Sequence, residues 1–162
     1  MNQAINFFWT ILGFAPVVAV WATRYSVPWL CVSVLLSVPG LLLPSRVFQL
    51  SRDPKFYERL GIRFIQKFVQ GGRYASRYMR KLDPGYRMVK NKATALQYQS
   101  TLLMYERFHL MCFIFFVLTA AYAFSVSLYP LALIVILANL IYNICPILLQ
   151  QYNRARILKL VK

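Results

Sequence analysis

The distribution of charged side chains constrains this chain more than any other feature. Residues 1–23 and 25–45 contain no charged side chain, and residues 108–153 contain only His109 as a titratable group near neutral pH. A helix needs about 20 predominantly apolar residues to cross the roughly 30 Å hydrocarbon core of a bilayer. The long uncharged stretches therefore predict membrane-spanning helices.

These stretches predict an all-α membrane protein, a single membrane domain over residues 1–162 with four transmembrane helices arranged as two hairpins. The predicted spans are residues 4–23, 27–44, 108–126 and 129–150. The second is short and is interrupted by Pro28, Pro39 and Gly40, and Pro146 is expected to kink the fourth. We expect the first apolar run to be a retained span rather than a signal peptide.

The basic residues predict the orientation. Residues 46–107 and the tail contain 18 of the 19 Lys and Arg residues, and the net charge is +15. Lys and Arg accumulate in cytoplasmic loops, so we expect the loop 46–107, the basic tail 151–162 and both termini on the cytoplasmic side of a bacterial inner membrane. A nucleic-acid-binding domain would spread its basic residues over a soluble fold, so no nucleic acid partner is expected.

The cytoplasmic loop contains an amphipathic pattern. Basic and apolar side chains each recur at a spacing of four residues and so form two neighbouring rows on a helix. The rows are Lys55, Arg59, Arg63 and Lys67, and Phe56, Leu60, Phe64 and Phe68. One helix is predicted, beginning at Asp53-Pro54, ending at Gly71-Gly72 and lying against anionic phospholipid headgroups. A second is predicted to run without a break from about Tyr86 into the third span.

Two acidic residues and the single histidine are the candidate catalytic groups. Glu106 and His109 are three residues apart, hence on one face of a helix, where a carboxylate can orient a general base. Alternatively, Glu106 pairs with a basic loop residue and His109 satisfies a carbonyl group. Glu58 either reaches the same site or neutralises the basic row. No metal is expected, because a diiron site would need further carboxylates than Glu58.

The end of the fourth span contains amide, aromatic and basic residues in close succession. Guanidinium groups bind phosphates and oxyanions in a fork geometry, so this run is a candidate substrate site, although it also suits a simple membrane anchor. The candidate binding residues are Gln150, Tyr152, Asn153, Arg154 and Arg156, together with Arg59 and Arg63 of the loop. Asn139 and Asn143 are interpreted as helix–helix hydrogen-bonding residues.

These stretches together resemble the glycosyl-diaponeurosporenoate acyltransferase family, small bacterial integral membrane proteins of carotenoid-glycoside biosynthesis. The resemblance covers about residues 50–160 and rests on residues 57–63, residues 106–109 and residues 143–156. The chain departs from the family pattern at Gln151, where Arg is frequent, in the position of Pro146, and at residues 64–67, where a Trp-Lys pair is expected.

The resemblance implies transfer of a fatty acyl group onto a sugar hydroxyl of a membrane-resident glycolipid. We expect His109 as base, Glu106 or Glu58 as its orienting group, and Asn153, Arg154 and Arg156 around the donor phosphates or the oxyanion. No cofactor is expected, and an acyl donor such as acyl coenzyme A is a co-substrate. The alternatives are a non-catalytic scaffold that binds anionic lipid or a protein partner, and an enzyme acting on another lipid or a pyrophosphate-linked isoprenoid. A homo-oligomer or a membrane-protein partner is left open.

Overall fold

The computed structural model describes residues 2–69, 72–85 and 92–161, and the regular secondary structure in these ranges is helical. The helices are α1 (Asn2–Thr23), α2 (Val27–Ser37), α3 (Ser45–Phe48), α4 (Pro54–Arg59), α5 (Ile62–Ile65), α6 (Arg73–Leu82), α7 (Lys92–Ser125), α8 (Tyr129–Asn139) and α9 (Cys145–Val161). A 3₁₀ turn, Val38–Leu41, follows α2, and a π-helical turn, Leu140–Ile144, joins α8 to α9.

Three helical stretches are long and apolar enough to cross a membrane, namely Gln3–Thr23, Thr94–Ser125 and Tyr129–Lys159. The all-α membrane fold is therefore confirmed, whereas the count of four spans is not. The second predicted span is a shorter apolar helix, Val27–Leu41. At 1.5 Å per residue it extends over roughly 22 Å. It tightens into the 3₁₀ turn at Pro39 and Gly40, where proline cannot donate an α-helical hydrogen bond.

The apolar core lies between α1, α2, α7 and α8. The rings of Trp21 and Tyr122 stack with centroids 4.8 Å apart, and the Trp21 indole donates to the Thr119 hydroxyl at 3.3 Å. Gly40 permits α2 and its 3₁₀ turn to approach α7 closely, because a Cβ at this position would lie 2.9 Å from the Met111 Cα. The close approach fixes the short helix against the long one.

The π-helical turn lies immediately before Pro146, the residue expected to kink the last span. The Cys145 N–H donates to the Leu140 carbonyl five residues earlier, which is the π-helical spacing. Proline at position 146 has no N–H for the Tyr142 carbonyl, its α-helical partner four residues before. The helix as a whole continues through the irregularity to Val161, so residues 151–161 of the predicted tail extend the last span as a helix.

The prediction of one amphipathic helix from Asp53 to Gly71-Gly72 is wrong. The structure has the short helices α4 and α5, separated by Gly61 in the left-handed conformation at φ +79°. The reason is tertiary: Tyr57 and Ile62 are fully buried in a cluster with Leu149 and Tyr152 of α9, a contact that a straight helix lying on lipid does not make.

Other expectations for the loop are confirmed. Asp53 caps α4 by accepting a hydrogen bond from the Lys55 N–H at 3.3 Å, and Pro54 occupies the first turn. The long helix predicted from about Tyr86 is present from Lys92, while residues 86–91 lie outside the described residues, as does Gly71.

Candidate functional site

The most deeply buried charged groups are Glu106 of α7 and Arg154 of α9. Their side chains are 0% and 7% exposed, and Arg154 Nη2 donates to Glu106 Oε1 at 3.3 Å. Side chains on a helix tilt toward its N-terminus, so on these two neighbouring helices of opposite direction the two groups reach toward each other. The alternative expectation that Glu106 pairs with a basic residue of the loop is wrong in its partner, because the paired guanidinium is that of Arg154 in α9.

Several polar atoms of this pair have no protein partner. Within the described residues, Glu106 Oε2, Arg154 Nε and the hydroxyl of Ser45 are buried without a hydrogen bond. The Ser45 hydroxyl, at the start of α3, lies near the same carboxylate without a well-formed hydrogen bond to it. Because an unsatisfied buried polar group is costly, these atoms leave capacity for a water molecule or for a polar group of a ligand.

A second buried group ties the segment after α3 to α9. Gln151 Nε2 donates to the Phe48 carbonyl at 3.1 Å, and Gln151 Oε1 accepts from the Leu50 N–H at 3.2 Å. The Tyr57 hydroxyl lies 3.0 Å from the same oxygen and 2.8 Å from the Ser51 carbonyl. Burial raises the pKa of Tyr57 above its ordinary value. Gln151 thus hydrogen-bonds to the backbone of the loop at two points.

His109 belongs to a chain of hydrogen bonds between α7 and the π-helical turn. Its Nδ1 lies 3.3 Å from Asn143 Oδ1. The Asn143 Nδ2 donates to Asn139 Oδ1 at 2.8 Å, and the Asn139 Nδ2 donates to the Phe113 carbonyl at 3.1 Å. We call these residues the amide relay. The predicted role of Asn139 in a helix–helix hydrogen bond is confirmed.

The direction of every bond in the amide relay follows from its last acceptor. A backbone carbonyl can only accept, so Asn139 presents its NH₂ group to Phe113 and its oxygen to Asn143. Asn143 then donates through its NH₂ group and turns its oxygen toward His109. An imidazole that hydrogen-bonds to this oxygen carries its proton on Nδ1. The ring also interacts with the backbone carbonyl of Tyr142, the carbonyl that Pro146 leaves without its α-helical partner. The contact with Asn143 favours the tautomer that a general base acting through Nε2 requires, whereas the contact with the Tyr142 carbonyl agrees with the alternative expectation that His109 satisfies a carbonyl group.

Glu106 and His109 share a face of α7 but have different partners. In the described part of the chain, no hydrogen bond or ion pair joins them. The group that hydrogen-bonds to His109 in this structure is Asn143, which was expected as a helix–helix hydrogen-bonding residue but not as a partner of the histidine. Glu106 contacts Arg154, one of the predicted substrate-binding residues.

Glu58 lies in a third, partly exposed group at the end of α4. Its Oε2 pairs with Arg63 Nη2 at 2.8 Å, and its Oε1 accepts from the Tyr152 hydroxyl at 3.1 Å. The hydrogen bond from Arg63, reinforced by Tyr152, holds the pKa of Glu58 below its usual range. Arg156 lies over the Tyr152 ring, 5.5 Å from its centroid. These groups have no described contact with Glu106 or His109.

The remaining predicted binding residues lie around these groups. Arg59 and Arg156 are exposed, and Asn153 and Gln150 are half-buried. Gln150 Oε1 is a buried atom without a partner. Within residues 2–69, 72–85 and 92–161, no three His, Cys, Asp or Glu side chains come together as metal ligands.

The fold and these contacts define a helical membrane protein with polar groups concentrated between α7, α9 and the segment that follows α2. A family model of glycosyl-4,4'-diaponeurosporenoate acyltransferases matches residues 42–162, and the chain belongs to that family. The match indicates an acyltransferase acting in carotenoid-glycoside modification, and it includes all of the polar groups described above. No curated protein and no solved structure matches the chain.

Proposed function

We propose that this protein is a membrane-embedded acyltransferase that moves a fatty acyl group from a donor, such as a coenzyme A thioester, onto a hydroxyl of a glycolipid or carotenoid glycoside. Family membership supports the reaction class. The observation that supports the proposal is the amide relay, because a His109 ring that donates from Nδ1 to Asn143 has its lone pair on Nε2. That nitrogen is the proton acceptor in the proposed reaction.

In this mechanism Nε2 of His109 removes the proton of the acceptor hydroxyl while the hydroxyl oxygen attacks the carbonyl carbon of the donor. The new C–O bond gives a tetrahedral oxyanion, which collapses by breaking the bond to the thiolate or alkoxide. The imidazolium then returns its proton from Nε2 to this leaving group. Throughout, the Nδ1 proton stays on the ring and donates to Asn143 Oδ1, which stabilises the positive charge.

The charged groups of α9 would act on the donor. Arg156 is exposed and Asn153 is half-buried in the second half of α9, and a guanidinium suits the phosphates of the donor. Arg154 already pairs with Glu106, so we assign to it a positioning role at the α7–α9 contact. Its unpartnered Nε is directed to a polar atom of the substrate or to water. Membrane lipid supplies the acceptor and surrounds the apolar helices, and headgroups contact the exposed Arg59 and Arg63.

The test is the lipid composition of cells. Cells that produce a carotenoid glycoside and express this chain should contain a glycolipid heavier by one acyl chain, detected by mass spectrometry of total lipid extracts. The His109→Gln variant should lower its rate of formation by about 10²–10⁴-fold, the contribution typical of a general base. Tyr105→Gln, on an exposed position of the same helix, is the matched control and should retain the product.

Two further variants separate the relay from simple packing. Asn143→Leu removes the acceptor of the Nδ1 proton and should lower the rate and shift its pH profile. Asn139→Leu acts only through Asn143 and should have the smaller effect. Equal product from wild type and His109→Gln would exclude His109 as the base.

A non-catalytic scaffold is the second candidate function. It is favoured by the separate neutralisation of the acidic groups, since Glu106 pairs with Arg154 and Glu58 pairs with Arg63. A scaffold predicts that the chain adds no acylated lipid to cells that lack another acyltransferase. The same lipid extracts therefore decide between the two candidates.

A further inference from the structure

A polar surface pocket of about 200 Å³ lies in the segment that joins α3 to α4. It is lined by Arg46, Gln49, Leu50, Ser51 and Arg52. Leu50 and Ser51 contact the Gln151 and Tyr57 group described above through their backbones, and no role has been assigned to the two arginines. The volume is several times the roughly 30 Å³ that a water molecule occupies in the liquid, so a phosphate group with its hydrogen-bonding partners fits in it.

The pocket is held in shape by buried groups behind it. Gln151 binds the backbone at Phe48 and Leu50, and the fully buried Tyr57 accepts from the Ser51 N–H at 2.9 Å. Within the pocket itself, Gln49 Nε2 donates to the Ser51 carbonyl at 2.8 Å. Four hydrogen bonds over this short segment order the backbone between the two arginines before any ligand binds. A preordered site binds more tightly because less conformational entropy is lost.

The two arginines of the pocket have no acidic partner within the described part of the chain. The four carboxylates of the protein are engaged elsewhere: Asp53 with Lys159, Glu58 with Arg63, Glu106 with Arg154, and Asp83 with the Gly85 N–H. Arg46 and Arg52 are both exposed. Two uncompensated guanidinium groups at one pocket favour an anion, and their planar forks match phosphate oxygens.

We propose that Arg46 and Arg52 bind a phosphate oxyanion in this pocket. Its source is either the headgroup of an anionic phospholipid or the phosphates of a soluble acyl donor of the coenzyme A type. Both sources present the same phosphate oxygens, and the two arginines are exposed while Leu50 of the pocket donates to the buried Gln151. The proposal concerns binding alone, so it can fail or hold independently of the proposed acyl transfer.

The experiment uses the full chain purified in a neutral detergent and two probes. Coenzyme A without an acyl group is titrated by calorimetry, and retention of phosphatidylglycerol against diacylglycerol, which has no phosphate, is measured by native mass spectrometry. The test variant is Arg46→Gln/Arg52→Gln. The matched control is Arg77→Gln/Arg80→Gln, which removes the same charge from α6. Circular dichroism verifies that each variant is folded.

We expect the wild type to bind at least one probe with saturation and the test variant to bind it about tenfold or more weakly, since charge-assisted hydrogen bonds are lost. The control should stay within about twofold. Gln151→Leu, which leaves the charge unchanged but releases the loop, should also weaken binding. Coenzyme A binding identifies a soluble donor as the source, and selective phosphatidylglycerol retention identifies a headgroup. Equal losses in both double variants, no loss in the test variant, or no binding by the wild type would overturn the proposal.

Discussion

At the scale of single residues, the ion pair between Glu106 and Arg154 is the contact on which the α7–α9 junction depends most. Both side chains are withdrawn from solvent, and one oxygen of the carboxylate has no partner. Removing one member of such a pair strands a buried charge and destabilises a protein by about 3–5 kcal/mol. We therefore expect Arg154→Met to lower the free energy of unfolding by about this amount, measured by denaturation in detergent.

The double variant Glu106→Gln/Arg154→Met should recover part of the loss, because no unpaired charge remains. Lys159→Met is the matched control. It removes an exposed ion pair with Asp53, and a surface pair contributes at most about 1 kcal/mol. A cost for Arg154→Met no larger than for Lys159→Met would contradict a stabilising role of the buried pair.

At the scale of secondary-structure elements, Gly61 separates α4 from α5 through its left-handed backbone. An added Cβ would meet no atom within 4 Å, so a substitution there tests the backbone alone. Gly61→Ala should cost about 1–2 kcal/mol of unfolding free energy, since an L residue with a Cβ is strained at φ +79°. Gly61→Asn should cost less, because asparagine tolerates this conformation better. Thermal unfolding of the two variants gives the comparison, and equal costs would argue against backbone strain.

The sequence predicted elements whose determinants are local. Uncharged runs identified the long helices, and Asp53-Pro54 identified the start of α4. The straight amphipathic helix was a wrong prediction because its periodicity does not reveal that Tyr57 and Ile62 are buried against α9, more than 80 residues away. A pattern of period 3.6 indicates which side chains share a face but not what covers that face.

The same limit applies to the candidate site. The spacing of Glu106 and His109 correctly placed both on one face of α7, and their partners could not be known without the position of α9. The helical register brings Asn143 to His109 and Arg154 to Glu106. Asn143 was visible as a polar residue inside an apolar span, where such residues are costly and are often functional. That signal alone pointed to it, whereas Gln151 lies just beyond the predicted span and carried no such signal.

At the scale of the whole molecule, contacts along α7 indicate how far the segment between α1 and α3 extends across the membrane. The Tyr122 hydroxyl donates to the Arg24 carbonyl at 3.1 Å, and Ser45 lies near Glu106. Tyr122 and Glu106 are 16 residues apart on α7, which corresponds to roughly 24 Å. Residues 24–45 thus extend along roughly 24 Å of α7, although their helix is short. At the loop-facing end, the Trp9 indole of α1 donates to the Phe68 carbonyl at 3.3 Å.

The expectation of four crossings, with the basic segments on the opposite side from Arg24, can be tested by chemical labelling. We expect Arg77→Cys, introduced after replacement of Cys31, Cys112 and Cys145 by alanine, to react with a membrane-impermeant maleimide only when the cells are permeabilised. Tyr25→Cys, at an exposed position in the turn after α1, should react in intact cells, as should Ser127→Cys in the turn after α7. The reason is that Lys and Arg concentrate on the cytoplasmic side. A different result would be that Tyr25→Cys reacts only after permeabilisation while Ser127→Cys reacts in intact cells. The chain would then cross the membrane an odd number of times between these two turns, and the arrangement as two hairpins would be incorrect.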